Sequence, residues 1–340
     1  MDITEINGLV LGKFMPPHLG HLFLIDTAIE KCDKVHIFVC SNELQVQVPG
    51  DIRVKTLRAI YHNNPKVIIH DFRDDRLPQN DSECSSLDEF YHQWVPMIYK
   101  EVPKLDIVFT SEDYGDDFAK YLGIQHYLVD KERKKFPISG TEIRTNPLLN
   151  WRFIPNEMKP FFVKRISVMG PESCGKSTLT EKLSHHYNTN FVDEYGRTLF
   201  EEKNGNLSID DFILISKNRQ IIEDDRIKTS NKILFSDTED ITTYIFSKMY
   251  HPDSYKSVEK YFEDKIGSSK KYDLYILLRS DCPAIQDGTR QFLDGRHEHY
   301  LEIRKCLDKY GCNYIEVGGD WENRYNISIY EIDEFLDIKS

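Results

Sequence analysis

Gly170-Pro171-Glu172-Ser173-Cys174-Gly175-Lys176-Ser177-Thr178 fits the phosphate-loop pattern G-x-x-x-x-G-K-[ST]. Before it, Arg165-Ile166-Ser167-Val168-Met169 reads as a buried strand. After it, Thr180-Glu181-Lys182-Leu183-Ser184 reads as a helix start. The strand-loop-helix setting is what this motif requires: the glycines let successive backbone N–H groups turn inward to a phosphate, with a positive helix end behind them. Gly170, Ser173, Gly175, Lys176, Ser177 and Thr178 then form an ATP cradle, in which Lys176 bridges the β- and γ-phosphates and Ser177 ligates Mg²⁺. Residue 165 onward reads as an ATP-using domain.

The remainder is too long to be an appendage. A chain of 340 residues exceeds what one core usually holds, and two domains are expected. Its net charge of −12 argues against a general nucleic-acid or anionic-membrane binder, so an anionic substrate needs a locally basic site. Apolar runs of membrane-spanning length and a basic, apolar leader are both missing from the sequence, which points to a cytoplasmic protein. Seven cysteines without a C-x-x-C pair read as reduced, mostly buried thiols rather than a disulfide framework or zinc site.

In the first half, Gly8-Leu9-Val10-Leu11-Gly12 is a buried strand. A loop follows, then Leu22, Leu24, Ile25, Ala28 and Ile29 at helical spacing, then the strand Val35-His36-Ile37-Phe38-Val39-Cys40. This βαβ order implies a parallel sheet with ligands at the strand carboxyl ends. His18 and His21 lie three apart where the loop meets the helix, so both imidazoles can face one ligand. Donors there can hold a triphosphate and offset charge on a departing pyrophosphate. Farther on, Ser139 and Thr141 can cap a helix at Phe136-Pro137-Ile138-Ser139-Gly140-Thr141-Glu142-Ile143-Arg144, with Arg144 as a phosphate contact. Arg53, Lys55 and Arg58 share a helix and read equally as phosphate ligands or a solvated face. Strands are expected at residues 67–70 and 107–110, with Ser111-Glu112-Asp113 at a strand carboxyl end. Trp94 suits either a cation–π stack on a pyridinium ring or the core.

Asn146-Pro147, Ile154-Pro155 and Lys159-Pro160 mark a junction. The expected layout is residues 1–150, a proline-containing segment at 151–164, and 165–340. In the last part, Asp193-Glu194-Tyr195-Gly196-Arg197 follows a short strand, and Asp193, or else Glu194, can take the proton of a substrate hydroxyl. Tyr195 and Arg197 are candidate substrate contacts. The strand 233–236 ends at Asp237, a Walker-B layout for Mg²⁺. Between Asp287 and Arg296 a polar, glycine-containing stretch reads as a mobile lid whose Arg290 and Arg296 reach the triphosphate. A last strand at 314–317 and a closing helix complete the chain.

His18-Leu19-Gly20-His21 resembles the H-x-G-H signature of nucleotidyltransferases, and residues 138–144 resemble their I-S-G-T-x-I-R element. With the phosphate loop downstream of a proline-rich junction, nearly the whole chain resembles the NadR family of NAD salvage enzymes. The resemblance implies an α/β chain: a Rossmann-like nicotinamide-mononucleotide (NMN) adenylyltransferase domain followed by a P-loop ribosylnicotinamide kinase domain, both with parallel sheets. It implies ATP, NMN, nicotinamide riboside and NAD⁺ as ligands, Mg²⁺ as cofactor, and ATP contacts at Gly12, Phe14, His18, His21, Ser139, Thr141 and Arg144. Some members carry an N-terminal DNA-binding helix-turn-helix; here the first strand begins within ten residues of Met1, so DNA is not an expected partner. Self-association stays open. Rival readings are a fused kinase and nucleotidyltransferase for another cofactor precursor, or a non-catalytic ATP and NAD sensor.

Overall fold

The apolar run at the start makes a strand because neighbours cover both of its faces. In the computed structural model, which describes residues 5–43, 45–73, 75, 77–78, 83–268, 272–283 and 292–337, Leu9 and Val10 of β1 (Asn7–Gly12) are fully buried on opposite sides. Leu9 joins Phe38, Phe72, Tyr91, Trp94 and Phe118 in one cluster, and Val10 joins Ile25, Ile37, Leu57 and Phe109 in another. This two-sided burial is what turns a near-continuous hydrophobic run into a central parallel strand.

The chain divides into two units, Met1–Lys159 and Pro160–Ser340. The first continues through α1 (Leu19–Lys31), β2 (Lys34–Ser41), α2 (Gly50–Ile60), β3 (Val67–Arg73), α3 (Leu87–Glu101), β4 (Ile107–Thr110), α4 (Gly115–Leu122), β5 (Gln125–Leu128) and α5 (Gly140–Thr145). Its sheet runs β3-β2-β1-β4-β5, wholly parallel, with Leu9 opposite His36 on one side and Val108 on the other. Strand order reverses between β1 and β4, and a crevice opens there at the carboxyl edge. α1 starts three residues before the apolar spacing indicates, because His18 caps it: its Nδ1 accepts from the backbone N–H of His21 at 3.3 Å.

The division between units falls within the proline-containing segment. Ahead of it, Trp151–Phe153 form a short 3₁₀ turn, while Ile154 and Met158 are buried and the Thr56 hydroxyl lies 3.4 Å from Met158 Sδ. The segment's first half is therefore part of the first unit's core. α6 (Lys159–Phe162) leads into β6 (Lys164–Met169), α7 (Lys176–His186), β7 (Phe191–Val192), α8 (Tyr195–Glu202), α9 (Ile209–Arg226), β8 (Ile233–Asp237), α10 (Asp240–Tyr250), α11 (Lys256–Ser268), β9 (Leu274–Leu278), α12 (Arg296–Lys309), β10 (Tyr314–Val317) and α13 (Trp321–Leu336). The second sheet is also wholly parallel, in the order β10-β9-β6-β8-β7. α7 begins at Lys176, earlier than its periodicity suggests, directly from the phosphate loop. Among the described residues no helix is long and apolar enough to cross a membrane.

α10 starts from a buried carboxylate. Glu239 accepts from the N–H groups of Ile241 at 2.8 Å and Thr242 at 3.1 Å, yet burial, then the charge of Asp240, pushes its pKa up to about 7. The folded chain therefore holds a proton there that the unfolded chain releases near pH 4.5, so stability falls as pH rises from about 4.5 to about 7. Glu239→Gln removes this titration. Urea unfolding at pH 5, 6, 7 and 8 should show the variant gaining on the parent as pH rises, by up to about 1.4 kcal/mol per pH unit for one proton. A constant difference across that range would refute the assignment.

Candidate active sites

Two clefts lie at the carboxyl edges of the two sheets. In the first unit, the loop leaving β1 carries Phe14 with φ +47° and almost no exposure, and its ring meets His21 edge-on at 5.0 Å. The His18 and His21 rings stack 3.7 Å apart at 24°. Burial, then the positive charge of Arg133, lowers the His18 pKa to about 4. Burial, then His18 and Arg133, holds His21 well below its usual value. Both are thus neutral at pH 7 and act as N–H donors rather than fixed cations. Nδ1 of His21 is buried without a hydrogen-bond partner among the described residues.

α5 closes this cleft. Ser139 Oγ accepts from the Glu142 N–H at 3.2 Å, and Glu142 Oε2 accepts from the Ser139 N–H at 2.7 Å, a reciprocal capping box. Thr141 does not share the capping role expected of it: its Oγ1 accepts from Arg144 Nη2 at 3.0 Å. Arg144 Nη1 donates to the Met15 carbonyl, and a Cβ on Gly140 would lie 2.7 Å from that same oxygen. This contact joins motifs far apart in sequence. Gly12, Phe14, His18, His21, Ser139, Thr141 and Arg144 all border one cleft.

Packing bears on three open readings. Arg53 is neither solvated nor a phosphate ligand: fully buried, it donates to the carbonyls of Lys13 at 2.6 Å and Cys40 at 3.2 Å and to Gln45 Oε1 at 2.8 Å, clasping the loop after β1. Lys55 and Arg58 are exposed and do not border the cleft. Trp94 sits in the core beside Phe72, donates Nε1–H to the Pro78 carbonyl at 3.0 Å and also borders the cleft.

In the second unit the phosphate loop turns through Gly170 at φ +151°, Ser173 at +58° and Gly175 at +86°. A Cβ on Gly170 would lie 2.9 Å from the Leu278 carbonyl, and one on Gly175 would overlap the Trp321 indole, so both positions need glycine on space as well as conformation. Lys176 is buried and donates to the Pro171 carbonyl at 3.0 Å. Burial opposes its charge, but Cys174, Glu194, Asp237 and Glu172 outweigh it and hold the ammonium above its usual range. Ser173, Gly175, Lys176, Ser177 and Thr178 border the cleft, while Gly170 does not and packs against Leu278 of β9.

Asp237 ends β8 in the same place. Burial, then Glu194, pushes its pKa up to about 7 against the pull of Lys176 and the Ser177 hydroxyl. Its Oδ1 has no hydrogen-bond partner among the described residues. Glu194, Tyr195 and Arg197 border the cleft, and the Tyr195 hydroxyl accepts from Asn218 Nδ2 at 2.9 Å. Asp193 is exposed and lies off the cleft wall, which reverses the preference between the two acids. Arg296 is not a lid residue: as the first residue of α12 it is buried, donating to the carbonyls of Cys282 at 2.9 Å and Ser173 at 3.3 Å. Arg290 lies outside the described residues.

The sequence reading missed two buried arginines. Arg219 of α9 meets Glu223 Oε1 at 2.6 Å, Asp240 Oδ1 at 2.6 Å and the Tyr272 hydroxyl at 2.7 Å, and it borders the cleft. Its i, i+4 acid was the available signal, but that spacing is shared with surface pairs. Arg324 donates to the carbonyls of Cys174 at 2.9 Å, Gly319 at 2.8 Å and Arg279 at 3.2 Å and pairs with Asp281, pinning the phosphate loop to α13.

Comparison with known proteins agrees with this layout. The cytidylyltransferase-like family model matches residues 9–146, and the AAA domain model matches residues 165–324. The trifunctional NAD biosynthesis/regulator protein NadR of Escherichia coli is 31% identical, over 94% of this chain and 80% of that protein. Nicotinamide-nucleotide adenylyltransferase of Thermococcus sibiricus is 26% identical, over 41% of this chain and 72% of its own length. A crystal structure of NadR protein in complex with NR superposes with a TM-score of 0.83 at 23% identity, covering 98% of this chain and 97% of that one. With both domains matched in order and four-fifths of the Escherichia coli protein covered, the chain belongs to the NadR family.

Proposed function

We propose that this chain is a bifunctional NAD salvage enzyme: its second unit phosphorylates nicotinamide riboside to NMN with ATP, and its first joins NMN to the adenylyl group of a second ATP. The observation that carries the reading is the pairing, in one chain, of a cleft with two neutral stacked histidines and a phosphate-loop cleft with a buried acid beside a lysine. The names of the relatives support the substrates: one is a nicotinamide-nucleotide adenylyltransferase, and a solved one binds NR, which we read as nicotinamide riboside.

In the kinase half the nucleophile is an alcohol, which needs a base at neutral pH. Glu194 takes the proton of the 5′-hydroxyl as its oxygen bonds the γ-phosphorus and the bond to the β-phosphate oxygen breaks, leaving ADP. Lys176 and the loop N–H groups hold the phosphates, and Tyr195 and Arg197, which border the same cleft, contact the acceptor in this reading. Mg²⁺ fits Ser177 and Asp237, since Asp237 presents a buried oxygen without a partner among the described residues. No cluster of three metal-ligating side chains exists among the described residues, as suits a cation that shares its shell with nucleotide phosphates and water. When bound, the ion neutralises charge growing on the transferring phosphoryl.

In the adenylyltransferase half the nucleophile is the NMN phosphate, already anionic. Its oxygen bonds the α-phosphorus, and the bond to the β-phosphate breaks to release pyrophosphate. No base and no enzyme-bound intermediate are needed. His18, His21 and the start of α1 present N–H donors to the phosphates, and Arg144 fixes the loop that carries them.

Lys176→Ala should abolish riboside phosphorylation and spare adenylyl transfer, and His21→Ala should do the reverse. Chromatography of products from Mg-ATP with the riboside, and separately with NMN, checks this; equal loss of both activities in either variant would overturn the two-site reading. Glu194→Gln should lower the kinase kcat by roughly 10²- to 10⁴-fold while Asp193→Asn leaves it within a few-fold. The opposite ranking would return the base role to Asp193.

A further inference from the structure

Arg144, the arginine of the I-S-G-T-x-I-R element, directs both terminal nitrogens at the protein: one to the Met15 carbonyl, the other to Thr141 Oγ1. Arg133 is arranged differently. It borders the same cleft, its side chain is 44% exposed, and its guanidinium makes no hydrogen bond among the described residues. Its charge depresses the pKa of both His18 and His21. Those histidines are neutral, so the positive charge beside them is balanced by carboxylates at the cleft rim: Glu112 at 3.7 Å, and Glu142, whose pKa is lowered by hydrogen bonds from Ser139 and then by this charge.

The backbone around Arg133 is built to hold it there. Asp130 and Arg133 both adopt left-handed conformations, φ +44° and +51°. The Arg133 N–H donates to the Asp130 carbonyl at 2.8 Å, and the Asp130 carboxylate accepts from the N–H groups of Lys134 and Lys135 at 2.9 Å each. A non-glycine residue kept left-handed by its surroundings is typical of a place where aim matters more than local comfort. Across the cleft mouth, Arg133 Nη2 lies 3.7 Å from Glu112 Oε1, beyond hydrogen-bond reach, and Lys131 pairs with Asp113. The segment after β5 thus leans on the segment after β4 through two ion pairs, of which the Arg133 pair is the looser.

We propose that Arg133 binds the polyphosphate of the ATP consumed in adenylyl transfer, and that Glu112 holds its guanidinium beside the cleft until the nucleotide replaces it. The proposal rests on the adenylyltransferase reading above. Arginine suits the task, because its planar fork can grip two phosphate oxygens at once.

The test is steady-state kinetics of NAD⁺ formation from ATP and NMN, varying each substrate, with binding of inorganic tripolyphosphate to the full chain followed by calorimetry. Arg133→Gln should lower kcat/KM for ATP about 10- to 100-fold and weaken tripolyphosphate binding, with KM for NMN and riboside phosphorylation unchanged. Arg133→Lys should recover part of the loss through charge alone. Glu112→Gln, which removes the competing anion, should lower KM for ATP. Parental kinetics in Arg133→Gln would overturn the proposal. So would a defect confined to KM for NMN, which would give the contact to the acceptor phosphate. Equal damage in Arg133→Lys and Arg133→Gln with a lowered melting temperature would mean a structural role and also overturn it. Should the parent chain make no NAD⁺ from ATP and NMN, the function reading fails on its own, and the tripolyphosphate arm still decides the anion contact.

Discussion

Parallel strand pairing is the constraint on which both units depend. A parallel strand must be re-entered from the same end, so every connection crosses a face as a helix, and every strand's carboxyl end emerges on one edge. The residues to which we assign the chemistry, and others that border the clefts, are therefore loop and helix-start residues gathered at those edges: His18 after β1, Ser111 and Glu112 after β4, Arg133 after β5, the phosphate loop after β6, Glu194 after β7 and Asp237 at the end of β8. Burial of both faces of β1 and β6 fixes where those ends stand. The hydrogen bond from Arg144 to the Met15 carbonyl, with Gly140 packed against the same oxygen, then joins α5 to the loop after β1.

Positive charge divides into two kinds in this acidic chain. Arg53, Arg219 and Arg324 are almost wholly buried: Arg53 and Arg324 donate to backbone carbonyls, Arg324 also pairs with Asp281, and Arg219 meets Glu223, Asp240 and the Tyr272 hydroxyl. They act as struts: Arg53 clasps the loop after β1, Arg324 holds the phosphate loop, and Arg219 ties α9 to the start of α10 and to Tyr272. A buried guanidinium suits this use because five donors in a fixed plane can hold several carbonyls at once. Arg133 is of the second kind, half-exposed on a cleft wall. Removing a strut exposes its partners as unsatisfied groups, so its loss reaches the site through the loop rather than through the ligand.

Much of this was legible in the chain itself. The central strands announce themselves as apolar runs, the glycine pattern marks the phosphate loop, and the H-x-G-H spacing puts two imidazoles on one side of a helix start. What escaped were choices that only packing makes. Asp193 and Glu194 are chemically alike and adjacent, and the turn from β7 into α8 alone decides that Glu194 borders the cleft. Arg296 looked like a lid residue because its neighbours are polar and glycine-rich; the backbone carbonyls that bury it belong to segments distant in sequence. Arg53 and Arg219 failed for the same reason, since a charged residue on an amphipathic helix reads as solvated until its partners are known. Arg133 lies in a run of charged residues that reads as surface, and its left-handed backbone carries no sequence signature without glycine.

The two clefts meet the same phosphate chemistry with opposite electrostatics, and the nucleophile explains why. An alcohol must lose a proton, so the kinase cleft places Glu194 close enough to Asp237 that the two acids repel, and burial adds to the rise in the Asp237 pKa. The charge of Lys176 offsets that repulsion, and a cation bound there would share the negative charge. A phosphate monoester arrives already charged, so an acid at that position would repel it. The adenylyltransferase cleft accordingly has neutral imidazoles where the kinase has carboxylates, desolvated so that they stay neutral and donate without drawing a counter-anion of their own. Two acids do border it, and each has partners: Glu112 lies 3.7 Å from Arg133, and the Asp130 carboxylate accepts from the N–H groups of Lys134 and Lys135. Exchanging the two solutions would disable both sites: a base would repel NMN, and neutral histidines at pH 7 would leave the lysine and magnesium without the anions that hold them in place.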